Sequence, residues 1–194
     1  MKESIWKKDL EFSQNTSKMV DKILLSKQSD IKEIKRLKGT NGQVHMLDQY
    51  FAIDGLIVKN SGIQYTFQEK IRRKQFLKYD DLTLEYFSNT KKQTNGDFFH
   101  FSSDFYFHGY TNLKEDQIIK FRIISVVELK KYIDNNFDKI YNSYLKQNSK
   151  HSNASFFAIP FFELEKEKNI VVAKFEKILL ENIFSPQKSY SPTL

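Results

Sequence analysis

Apolar residues along this chain recur with two periods, and the change between them marks out the elements. Met19, Val20, Ile23 and Leu24 fall at helical spacing and predict a helix over residues 16–27. Asp30 stands where it can cap the amide of Glu33. Ile31, Ile34 and Leu37 extend a stripe and Gly39 supplies a stop, so a second helix is expected from residue 30. Residues 39–42 read as a loop. From Val44 the period becomes that of a strand, and residues 50–58 are apolar on both faces, as in a central strand covered on each side. Lys59-Asn60-Ser61-Gly62 is a turn signal, and residues 63–71 read as the partner strand of a hairpin.

Residues 80–88 predict a third strand. The aromatic-rich run over 96–111 has no clear period, and residues 118–126 predict another strand. An amphipathic helix over 127–146, a polar loop and a short strand with a turn over 156–164 follow. Residues 169–184 fit either a helix or a strand. Helices before and after a set of strands imply an α/β (α+β) domain in three layers, with a central mixed sheet flanked by helices. One domain is expected over residues 1–184, with a flexible tail at 185–194.

A chain of 194 residues with 40% hydrophobic side chains can build a real core. Its lack of cysteine excludes a disulfide scaffold and a thiolate zinc site, and suits a reducing compartment. No apolar run reaches the roughly 20 residues of a membrane span, and the first residues lack a secretion signal's apolar core. A cytoplasmic protein that does not enter a membrane is expected. The formal net charge of +7 points toward a polyanionic partner, or equally reflects a lysine-rich surface.

The candidate chemistry lies between Phe51 and Arg73. On the strand over 63–71, Gln68 and Lys70 share a face about 6–7 Å apart, while Glu69 points away. A turn near Gly62 brings Asp54 level with Gln68 or Lys70. An acid in an apolar stretch needs a partner, and either a metal or Lys70 would serve. Asp54 and Gln68 offer two oxygens to a hard cation such as Mg²⁺. Lys70 can stabilise charge on a phosphate, and Arg72, Arg73 and Lys74 continue a basic track for a nucleic-acid backbone.

Asp54, followed 14 positions on by Gln68-Glu69-Lys70 at a strand end, resembles the signature of the PD-(D/E)XK, or restriction-endonuclease-like, nucleases. The resemblance runs over residues 9–129. It implies an α-β-β-β-α-β core and a Mg²⁺-dependent endonuclease, with Mn²⁺ able to substitute. It makes Asp54 and Gln68 metal ligands and Lys70 the catalytic lysine. Nucleic acid is the implied partner, DNA ahead of RNA, and a homodimer is one implied working form. Gln68 departs from the family pattern, which has an acid there; variants with glutamine occur in the superfamily. The alternative is a catalytically silent module of the same fold that binds nucleic acid or a protein.

Glu11, on or near the first helix, and Glu85, on the third strand, are additional candidates for the site; Glu11 reads first as a solvated surface acid, and Glu85 could line the cleft. His45, His100, His108 and His151 show no metal-ligand spacing, and packing is the expected role in the aromatic run. No phosphate-binding glycine loop is present.

Overall fold

The structure, a computed structural model, describes residues 5–37, 46–148 and 153–177. It is an α+β fold around a six-stranded mixed sheet of order β1-β2-β3-β6-β7-β10. These strands are β1 (Ile31–Arg36), β2 (Gly55–Lys59), β3 (Gln64–Arg72), β6 (Phe105–Thr111), β7 (Ile118–Ser125) and β10 (Val171–Glu176). Only the β3–β6 pair is parallel. A second sheet, β5-β4-β9-β8, is built from β4 (Asp81–Asn89), β5 (Thr94–Asn95), β8 (Leu145–Gln147) and β9 (Ser155–Pro160).

Helix α1 (Ile5–Lys27) covers one face of the large sheet. Val20 and Leu24 pack there against Ile31, Ile57, Phe67, Phe107 and Phe121. The second sheet covers the other face with α4 (Val126–Asn135), α5 (Phe137–Tyr144) and α6 (Phe161–Leu164). Leu82, Leu84, Tyr106, Ile124, Leu129, Ile140, Phe157 and Phe161 form the core on that side. Where the α-β-β-β-α-β pattern has a crossover helix between its third and fourth strands, the β3-to-β6 connection holds a 3-10 turn (Lys74–Tyr79), β4, β5 and the four-residue α3 (Asp97–His100).

Several local expectations are corrected. The helix expected from residue 30 is strand β1. A bulge between Ile31 and Glu33 shifts the alternation, so Ile31 and Ile34, three apart, both pack toward α1 and imitate a helical stripe. Asp30 does not cap a helix; its carboxylate meets Lys59 at 2.8 Å. The strand expected over 50–58 divides into the end of α2 (Met46–Phe51) and β2, separated by Ala52 at φ 50°. Helix α1 begins eleven residues before residue 16, because its first turns are mostly solvated and show no apolar stripe. The helix over 127–146 breaks at Asn136, whose amide group donates to the Tyr132 carbonyl at 2.8 Å, and its last residues enter β8. The loop at 39–42 and the tail at 185–194 lie outside the described residues.

The β2–β3 hairpin forms as expected, closed at Gly62 with φ 85°. At its other end the backbone of β2 runs hard against the buried ring of Phe67. A Cβ on Gly55 would lie 2.7 Å from Phe67 Cε1 and 3.0 Å from the Lys35 carbonyl oxygen. Phe67 cannot swing aside, so Gly55→Ala is expected to cost about 1–3 kcal/mol in urea unfolding. Unchanged stability would show that the β1–β2–β3 packing is looser than described.

His108 on β6 is 1% exposed, and neither ring nitrogen has a hydrogen-bond partner among the described residues. Burial, aided by Arg72, Lys70 and Arg122, drives its pKa well below the ordinary value. The native imidazole stays neutral while the unfolded one gains a proton below about pH 6.5. Stability contributed by the neutral ring is therefore present above that pH and lost as pH falls below it. The acid limb of a stability-against-pH curve is expected to flatten in His108→Phe; an unaltered limb would place the sensitive group elsewhere.

Candidate active site

Alternation along β3 sends its side chains to two different environments. Phe67, Glu69 and Ile71 face α1, whereas Gln68, Lys70 and Arg72 face the second sheet. Glu69 is fully engaged on its side. It accepts hydrogen bonds from the Ser17 hydroxyl and, at 2.9 Å, from the Arg36 guanidinium. Arg36 also binds Asp21 at 2.7 Å and the Ser17 carbonyl at 2.9 Å.

On the opposite face, Asp54 lies one residue ahead of β2, level with Gln68. Its N–H donates to the Phe67 carbonyl at 2.9 Å, and its carboxylate accepts the Glu69 N–H at 2.7 Å. The acid is thus fixed to the Gln68–Glu69 peptide. Gln68 Oε1 is buried without a hydrogen-bond partner among the described residues. Leaving such an oxygen unmatched costs roughly 1–3 kcal/mol, which a ligand offering a donor or a cation would recover. Lys70 is exposed, and its ammonium joins no ion pair among the described residues.

The crossover adds two carboxylates, Glu85 from β4 and Asp97 from α3. They are brought together at Gly96, whose N–H donates to the Tyr86 carbonyl at 2.9 Å. A Cβ on Gly96 would lie 2.6 Å from the Glu85 carbonyl oxygen. Burial raises the Glu85 pKa; Asp97 adds to the rise and Lys70 opposes it. The Tyr106 hydroxyl, paired in register with Gln68, is pushed well up by burial and by Asp97 and Asp54. Asp54, Lys70, Glu85 and Asp97 therefore act on one shared region. Among the described residues, no group of three or more His, Asp or Glu side chains is gathered closely enough to hold a metal by itself.

Other candidates lie elsewhere. Glu11 is on α1, across the sheet from Lys70, where it lines a polar cavity of about 480 Å³ with Asp9, Arg73 and Glu115. Arg73 is shared between Asp9 at 2.9 Å and Glu115 at 2.8 Å, over the ring of Phe12. Arg72 points between the sheets, paired with Asp81 and stacked near Phe76 and Tyr110. Lys74, at the start of the 3-10 turn, is half-buried and joins no ion pair among the described residues. Asp97 was not anticipated from the sequence; its one signal is an acid directly after a glycine in an otherwise aromatic run.

No family model matches this chain, and neither does any curated protein or solved structure.

The raised pKa of Glu85 has a stability consequence. Below the ordinary glutamate pKa near 4.3, the carboxyl is protonated in both folded and unfolded chains and adds no penalty. As pH rises through the higher native pKa, the native state alone carries the cost of a desolvated charge. Glu85→Gln is expected to raise the melting temperature at pH 7–8 and to leave it unchanged near pH 3.5. A loss of stability at neutral pH would show that the carboxylate is held by favourable partners.

Proposed function

We propose that this protein is a metal-dependent nuclease that hydrolyses phosphodiester bonds, with DNA as the first substrate to test. One observation supports the reading above the others: the buried Gln68 Oε1, without a hydrogen-bond partner among the described residues, lies level with a backbone-anchored Asp54 and beside Lys70, which joins no ion pair among those residues. A bound ion is one of the things that completes an unmatched buried polar group of this kind.

The donor set suits a hard cation, which takes oxygen ligands and commonly relies on one or two carboxylates plus substrate phosphate. Asp54 and Gln68 would hold it. When bound, Mg²⁺ or Mn²⁺ would polarise a phosphoryl oxygen and acidify a water. The chain's own groups supply the remainder. Asp54, held by the Glu69 N–H, keeps its carboxylate aimed without side-chain reorganisation. Lys70 brings three donors and a full charge to the negative charge that builds on the non-bridging oxygens. Glu85, with its raised proton affinity, suits acceptance of a proton from the attacking water. Lys74 extends positive charge along the flank.

Incubation with supercoiled plasmid and with single-stranded DNA and RNA, with and without Mg²⁺ or Mn²⁺, tests the reading. Lys70→Ala is expected to lower cleavage about 100-fold or more with thermal unfolding unchanged. Gln68→Glu is expected to tighten Mn²⁺ binding in calorimetry and to retain cleavage. Glu69→Gln, a change on the α1 face, is expected to lower stability more than turnover. An unaltered Mn²⁺ affinity in Gln68→Glu would remove Gln68 from the ligand set. Binding without cleavage under every metal would favour the silent module.

A further inference from the structure

The two segments that bring Glu85 and Asp97 toward Lys70 each carry a phenylalanine two residues further on: Phe87 on β4 and Phe99 on the last turn of α3. A bulge separates Glu85 from Phe87, and their partners on β9 are the adjacent Phe156 and Ser155, so Phe87 lies within about 7 Å, one nucleotide step, of Glu85 along the strand. The rings of Phe87 and Phe99 lie nearly parallel, 24° apart with centroids at 6.1 Å. Tyr86 touches both, at 4.6 and 5.1 Å. Tyr86 and Phe98 also pack inward on Phe157, so their rings are accounted for by the core. Phe99 is not, since 43% of it is open to solvent. Beside these rings, the turn between β4 and β5 holds Lys91 and Lys92, both exposed and in no ion pair among the described residues.

We propose that Phe87 and Phe99 form a stacking platform for an unpaired nucleobase beside the candidate scissile position, so that the substrate is single-stranded or locally unpaired nucleic acid. This rests on the nuclease reading of Asp54, Gln68 and Lys70 and narrows its substrate. Aromatic faces accept any base, because every base has a π-face, and duplex DNA keeps those faces stacked on their neighbours. Lys70 on one side and Lys91 with Lys92 on the other would meet the phosphates flanking the stacked base. An aromatic pair between Lys70 on one side and Lys91 and Lys92 on the other, next to the Glu85 and Asp97 carboxylates, matches a strand that carries both bases and charge better than it matches an apolar partner.

The test uses a single-stranded DNA dodecamer containing 2-aminopurine, titrated with the full chain in EDTA so that binding is read without cleavage. Quenching of the probe is expected with the wild type and little with the same strand annealed to its complement. Phe87→Leu/Phe99→Leu keeps the apolar volume but removes the π-faces, and is expected to weaken single-strand binding about ten-fold and abolish the quenching. Wild-type affinity and quenching in that variant would overturn the proposal, as would equal quenching of the duplex. A variant that binds the strand normally but changes from dimer to monomer in sedimentation would make the patch an interface between copies, and the platform would fall. Mg²⁺-dependent plasmid cleavage is scored separately. Cleavage without a 2-aminopurine response removes the platform and leaves the nuclease; a response without cleavage of any nucleic acid removes the nuclease and leaves the platform as a binding site.

Discussion

The Arg36 guanidinium is the contact on which the geometry of the site depends. It joins three elements at once: Asp21 and the Ser17 carbonyl on α1, its own strand β1, and Glu69 on β3, while lying over the ring of Phe67. The Arg36 and Glu69 side chains are only 15% and 9% exposed, so each charge is satisfied mainly by protein groups rather than by water. Removing Arg36 leaves the Glu69 carboxylate with the Ser17 hydroxyl alone, whereas removing Glu69 leaves Arg36 with Asp21 and the Ser17 carbonyl, so the loss of Arg36 is the costlier of the two. The clamp therefore pins β3 by its Glu69 face. A slip of one residue would turn Glu69 into the second sheet and carry Gln68 and Lys70 under α1. With the register fixed, Gln68 and Lys70 must face the crossover.

The face they share with the second sheet carries a row of basic residues that runs from an exposed end into the interior. Lys70, His108 and Arg122 lie side by side across β3, β6 and β7. Asp80 and Glu165 meet Arg122 at 2.9 and 2.7 Å, and Asp80 also takes Lys120 at 3.0 Å. Asp80 reaches them from a left-handed backbone, φ 43°, at the end of the 3-10 turn. Arg72 has Asp81. The neutral His108 separates Lys70 from the Arg122 network. Lys70, at the open end of this row, joins no ion pair among the described residues, and it is the position proposed to meet a phosphate.

Much of this was legible in the chain because it rests on local geometry. The Gly62 turn fixes the β2–β3 hairpin, and strand alternation alone puts Gln68 and Lys70 on one face and Glu69 on the other. The bulge in β1 was not legible, since a three-residue spacing of Ile31 and Ile34 reads as a helix until the partner strand is known. Nor was the fate of Arg72 and Arg73, whose counter-ions Asp81, Asp9 and Glu115 come from separate elements. Asp97 and the proximity of Glu85 depend on the close approach of Gly96 to β4, a long-range packing event with no periodic trace. Glu11 reads as a helix acid near the site in one dimension, but α1 lies on the other side of the sheet.

A cation site of the proposed kind requires Asp54 and Gln68 to address one point on the face away from Glu69. Paramagnetic broadening by Mn²⁺ in nitrogen-labelled protein, with a non-hydrolysable phosphorothioate dinucleotide present, measures this directly. The Gln68 side-chain amide and the Glu69 backbone N–H are expected to broaden first at substoichiometric Mn²⁺, with Asp9, Glu11 and Glu115 unaffected. Broadening centred on Asp9, Glu11 and Glu115, with Gln68 sharp, would contradict it.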